Sequence, residues 1–150
     1  MKTYTVHLIR HAMTKENTEG KYIGQTDVEP TKEGLAQIKN LMDENEGYPY
    51  ADVVISSPLK RCTETAKLIY PEKEPVIMQD LIEYDFGDFE GMTADELKDL
   101  DTFKDWISGA HPEEPVPFGE SQKEFNDRIC KCFIRIIEGI IKSGTRSTAI

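Results

Sequence analysis

Short β-favouring apolar runs alternate with longer stretches of helical periodicity along this chain, and that alternation narrows the possible folds more than any other feature. Tyr4, Val6, Leu8 and Ile9 form the first run, and Asp52-Val53-Val54-Ile55-Ser56 the second, each bounded by polar or turn residues. Between them, Thr31 to Glu46 repeats Leu35, Ile38, Leu41 and Met42 on one helical face, with Thr31 as N-cap and Gly47 as stop. Ser57-Pro58 predicts a second helix, because proline at the first helical position forfeits no needed N–H. Pro75 to Met78 is a third short strand. Strand, helix and strand in succession predict a mostly parallel sheet covered by helices, a three-layer α/β/α architecture in one domain spanning residues 1–150. Thr93 to Glu96 and Ser121 to Glu124 are capping boxes, with a proline-rich crossover from Pro112 to Pro117 between them. The second box opens the longest helix, on which Phe125, Ile129, Phe133, Ile136, Ile137, Ile140 and Ile141 form a core stripe. Ser143-Gly144 ends it, and Ser147 to Ile150 begins a fourth strand.

The first strand delivers Arg10 and His11 side by side at its carboxyl end. In open α/β sheets ligands bind outside that end, so both residues are expected to face a crevice. Arginine offers a permanent planar charge suited to phosphate oxygens, and an imidazole that is largely neutral near pH 7 offers a lone pair. Anion capture with nucleophilic attack follows, although an Arg-His pair after a strand is also an ordinary surface boundary. Arg61, in the first turn of the second helix, stands where the helix dipole mildly disfavours a cation. A bound phosphate reverses that penalty; otherwise Arg61 is a surface charge.

Two loops can complete such a site. Lys15 to Pro30 is long for a connection, and Asn17 with Gly24-Gln25-Thr26 can supply neutral hydrogen bonds; the alternative is a solvated loop with turn glycines. Leu81 to Gly91 mixes acids with aromatics. A carboxyl group there, shielded by Phe86 or Phe89, would hold a raised pKa and protonate a leaving group; alternatively the aromatics plug a core edge.

Composition excludes several classes. With 28 acidic against 18 basic residues and a net charge of −10, nucleic acid is not an expected partner, whereas a few converging arginines still allow a small phosphorylated ligand. No run approaches the length of a membrane span, and no signal peptide precedes the first strand. Cys62, Cys130 and Cys132 have neither metal-ligand nor disulfide spacing, so a cytoplasmic protein with reduced thiols and no metal is expected.

Five segments in order resemble the histidine phosphatase superfamily, in the branch that holds cofactor-dependent phosphoglycerate mutases and small α-ribazole-phosphatase-type enzymes. They are Leu8-Ile9-Arg10-His11, Gly24-Gln25-Thr26-Asp27, Ser56-Ser57-Pro58-Leu59-Lys60-Arg61, Leu81 to Gly91, and Gly119-Glu120-Ser121. The resemblance implies a phosphoglycerate mutase-like fold and a phosphomonoester hydrolase. His11 would be the nucleophile, Glu83 the proton donor, and Arg10, Arg61 and Asn17 the phosphate ligands, with Gly24, Gln25 and Thr26 near the substrate. It implies no metal or organic cofactor, and as partner a small phosphorylated metabolite or inorganic phosphate. A mutase is the alternative, disfavoured by the shortness of Leu81 to Gly119; a non-catalytic phospho-ligand binder is another.

Two departures stand out. Ala12 replaces the family's usual glycine, which a negative φ tolerates. The family's second active-site histidine follows the strand that begins near Thr148, and this sequence stops before it; His7 and His111 do not replace it. The chain is therefore expected to be a fragment lacking its C-terminal portion, weakly active or inactive by itself.

Overall fold

The structure, a computed structural model, describes residues 2–150. Its sheet holds β1 (Thr5–His7), β2 (Val53–Ser56), β3 (Val76–Ile77) and β4 (Ser147–Ala149) in the order β1-β4-β2-β3. Every described pairing is parallel, with Val6 and Val53 flanking Thr148 in register. Parallel neighbours need crossovers. One short helix and two longer ones link the first three strands: α1 (Lys15–Thr18), α2 (Lys32–Glu44) and α3 (Lys60–Ile69), while α4 (Ala94–Leu97), α5 (Asp101–Ser108) and α6 (Gln122–Ser143) precede β4. This is the expected α/β architecture with a parallel sheet, and β4 lies inside the sheet between β1 and β2.

The period-two alternation of β2 assigns the layers. Val54 joins Ala51 and Ala149 against Ala66 and Tyr70 of the α3 side, where Ile38 of α2 and Ile69 of α3 also pack. Val53 and Ile55 point the other way, onto Cys132, Ile136 and Ile140 of α6. Each such isoleucine contributes about 1.5–3 kcal/mol by leaving water.

Three local expectations are corrected. The α6 stripe centres on Cys132, which is 0% exposed, and continues through Ile136 and Ile140; Phe133 and Ile141 are 38% and 53% exposed. Each lies one residue, about 100° of helical rotation, past a buried position, and so falls off the sheet-facing side. The first strand is shorter than its apolar run and is not buried throughout: after His7, Leu8 turns outward and is 75% exposed, while Ile9 still donates to the Ile150 carbonyl at 2.8 Å. The third correction concerns α3, which begins at Lys60 rather than at Pro58. Its first N–H donates to Asp27 Oδ1 at 2.7 Å, so the cap comes from a loop 33 residues away.

Residues 84–118 build a separate aromatic lobe. Tyr84, Phe89, Leu97, Phe103 and Val116 are buried together, with Tyr22, Phe86, Trp106 and Phe125 packed around them. Phe89 meets Phe103 edge-on at 5.5 Å, a favoured arrangement for two ring quadrupoles.

Candidate active site

His11 is half-buried where β1 gives way to loop, and its neighbours settle which ring nitrogen carries the proton. Its Nδ1 lies 2.7 Å from the Ala12 carbonyl, which can only accept. Nδ1 therefore holds the hydrogen, and in the neutral ring Nε2 keeps its lone pair. The Ala12 peptide is itself held: its N–H donates to Thr65 Oγ1 at 2.8 Å, and that hydroxyl donates to the Arg61 carbonyl at 2.7 Å. Ala12 is buried with φ outside the left-handed region, so its methyl group is accommodated in the core between α2 and α3. Burial lowers the His11 pKa below 6.5; the bond to Ala12 opposes this, Arg61 and Arg10 lower it further, and Glu83 raises it.

Arg61 is only 2% exposed. It directs Nη2 to the Gly24 carbonyl at 2.7 Å and Nη1 to the Thr26 carbonyl at 3.1 Å, so much of its fork grips the loop while its charge stays beside His11. Arg10 is exposed and, among the described residues, forms no ion pair and no side-chain hydrogen bond. Together with His11 it lines two cavities: one of about 460 Å³ that also includes Ser57 and Cys62, and one of about 700 Å³ that also includes Asn17. Asn17 Oδ1 accepts the Thr14 N–H at 3.1 Å, which fixes the amide so that Nδ2 is the end left to donate. Burial also pushes the Cys62 thiol pKa up.

Glu83 shares a third cavity of about 130 Å³ with His11, Arg61 and Cys62. Its apolar walls are Leu59, Leu81, Ile82, Phe125 and Ile129. Phe86 and Phe89 do not shield it as expected, because their rings are committed to the aromatic lobe. The carboxylate instead has Oε1 tied to the Tyr84 N–H at 2.8 Å.

The run Gly24-Gln25-Thr26 does not line the cavities that His11 lines. The N–H groups of Gly24 and Thr26 donate to the Glu90 carboxylate at 3.0 and 3.2 Å, their carbonyls accept from Arg61, and Gln25 Nε2 donates to the Glu83 carbonyl at 3.3 Å. A Cβ at Gly24 would collide with the Tyr84 carbonyl, so glycine is what lets the loop approach. The observed work of this run is to frame Arg61. His7 Nε2 is hydrogen-bonded to Ser147 Oγ at 3.2 Å, and His111 lines a separate small cavity with Trp106.

Sequence reading did not reach Thr65 or Glu90. Thr65 stands four residues after Arg61 and so shares its helix face, a signal that was available. Glu90 had none, since its partners lie more than 60 residues away.

Residues 6–141 match the profile of the Histidine phosphatase superfamily (branch 1). The chain belongs to this superfamily. It is 33% identical over 130 residues to an acid phosphatase of Mycobacterium tuberculosis, covering 85% of this chain and 61% of that one. To the adenosylcobalamin/alpha-ribazole phosphatase of Escherichia coli it is 31% identical over 135 residues, covering 87% and 66%. A crystal structure of phosphoserine phosphatase from Entamoeba histolytica in complex with 3-phosphoglyceric acid superposes with a TM-score of 0.79 at 28% identity, covering 96% of this chain and 71% of that one. The chain thus spans about three-fifths to two-thirds of the length of these two curated histidine phosphatase relatives. Among the described residues no helix is long and apolar enough to cross a membrane.

Proposed function

We propose that this single histidine phosphatase unit hydrolyses small phosphomonoesters through a phosphohistidine on His11. The observation that carries the reading is the Nδ1–H bond to the Ala12 carbonyl, which leaves a neutral Nε2 as nucleophile. In the first step Nε2 attacks phosphorus as the P–O bond to the leaving group breaks, and Glu83 gives its proton to the departing oxygen. Arg10, Asn17 Nδ2 and the charge of Arg61 stabilise the equatorial phosphoryl oxygens. In the second step water attacks phosphorus, the P–N bond returns its electrons to the imidazole, and Glu83 takes the water's proton. Gly24, Gln25 and Thr26 serve as the frame of the clamp. No step calls for a metal or an organic cofactor.

Cavities of this size beside His11, and the kinship with phosphatases, support a small phosphorylated metabolite as the substrate class. Testing the protein on phosphoserine, 3-phosphoglyceric acid and α-ribazole phosphate should show turnover of at least one, at a weak rate for this 150-residue chain by itself. Replacing His11 with alanine should lower that turnover by at least about 10³-fold. A His11→Ala protein within about threefold of the parent would overturn the reading.

A further inference from the structure

Glu120 and Arg128 have no part in the reaction as proposed, yet both converge on the segment that carries Glu83. Arg128, on α6, directs Nη1 to the carbonyls of Asp80 and Ile82 at 2.9 and 2.7 Å. Its Nη2 points to Glu120 Oε1 at 2.6 Å and to the Glu83 carbonyl at 3.4 Å, and its Nε to Glu120 Oε2 at 3.4 Å. A guanidinium has five N–H groups, and these contacts occupy all of them, so none is left for a ligand. Phe125 covers the guanidinium with its ring centroid at 5.3 Å.

Glu120 holds the other side. Its Oε1 accepts the Asp85 N–H at 3.0 Å, its own N–H donates to the Asp85 carbonyl at 3.1 Å, and its carbonyl accepts the Tyr84 hydroxyl at 2.6 Å. Gly119 makes the approach feasible, since a Cβ there would collide with the Asp85 carbonyl. Glu83 therefore lies at the junction of two fixed stretches: residues 80–83 held by Arg128 and residues 84–85 held by Glu120. Because its Oε1 accepts the Tyr84 N–H, the direction of the carboxyl group is set by the Glu83–Tyr84 peptide, which Arg128 holds through the Glu83 carbonyl and Glu120 steadies through the next amide, the Asp85 N–H.

We infer that Arg128 and Glu120 are positioning residues that aim Glu83 at the leaving group opposite His11. The inference rests on the reading of Glu83 as proton donor. It also explains why a largely buried ion pair is present at all, since such pairs often contribute little stability relative to an apolar replacement.

Leaving-group chemistry tests it. An alkyl phosphate releases an alkoxide that must be protonated, whereas p-nitrophenyl phosphate releases a phenolate that need not be. Arg128→Met should lower kcat/KM, which reports only the steps up to departure of the leaving group and so excludes the hydrolysis in which Glu83 acts as base, about 10- to 100-fold on the alkyl ester and less than about threefold on p-nitrophenyl phosphate. Glu83→Gln should show the same selectivity, more strongly. Equal losses on both esters in Arg128→Met, beside a selective Glu83→Gln, overturn the positioning role and leave the reading of Glu83 standing. An unselective Glu83→Gln overturns that reading, and the inference with it. Should Arg128→Met fail to fold, Glu120→Gln keeps the side-chain volume and must show the selective pattern at reduced size; equal losses there overturn the role. The Tyr84 N–H gives a readout that needs no turnover: bonded to Glu83 Oε1 in the parent, it should exchange with solvent faster in the folded variant. An unchanged exchange rate contradicts the inference.

Discussion

Thr65 shows how far a single hydroxyl reaches into the chemistry proposed here. It accepts from the Ala12 N–H, and the Ala12 carbonyl in turn holds His11 Nδ1–H. Thr65→Val keeps the shape but leaves a buried N–H unpaired, at a cost of about 1–3 kcal/mol. The expected result is a lower melting temperature, reduced kcat and a mixed His11 tautomer in ¹⁵N spectra, all restored by Thr65→Ser. An unaltered tautomer in Thr65→Val would show that the latch does not act on His11. The lowered pKa of His11 gives a second residue-scale expectation, because burial, Arg61 and Arg10 together outweigh Ala12 and Glu83. Between the folded value and 6.5 the unfolded chain binds more protons than the native one. The neutral ring's contribution to stability is thus complete above 6.5 and is lost as pH falls through the folded value. The acid limb of kcat/KM should likewise lie below 6.5, and a limb at or above 6.5 would contradict the assigned environment. At this scale Arg10 and His11 were legible, because a cation and an imidazole closing a strand are chemically conspicuous. The place of Thr65 one turn past Arg61 is legible, but its bond to the Ala12 N–H is not, because that exists only once the chain after β1 has folded back onto α3.

Helix α3 carries the lesson at the scale of elements. Ser57-Pro58 is a sound local start signal, yet the helix begins at Lys60, where Asp27 supplies an acceptor to the first N–H. That carboxylate also offsets the unfavourable placement of Arg61 in the first helical turn. Asp27→Ala should cost about 0.5–2 kcal/mol of stability and should loosen Arg61, whose partner Thr26 precedes it in the chain. Urea unfolding checks the first effect, and a weaker affinity for inorganic phosphate the second; an unchanged affinity would detach the cap from the clamp. Helix α6 was read correctly in extent, from capping box to Gly144, because both signals are local. Its buried face was read too widely: a run as rich in isoleucine as residues 133–141 does not itself say which side meets the sheet.

For the molecule as a whole, layer order and parallel topology were legible because alternating strands and helices leave few ways to bury two apolar faces. The same topology brings Arg10 and Arg61, from the ends of β1 and β2, to the cavities that His11 lines. The aromatic lobe, the Glu90 clasp and the Arg128–Glu120 pair were not legible, since each depends on partners far apart in sequence meeting through loops with no period. All of these features surround one reactive atom, and the position of the phosphoryl group on it is the sharpest test. Incubation with a turned-over phosphomonoester, rapid quenching in alkali and mass spectrometry with ³¹P NMR should find an acid-labile phosphate on His11 Nε2. An adduct on Nδ1, or no adduct alongside full activity of His11→Ala, would contradict the assignment of His11 as nucleophile.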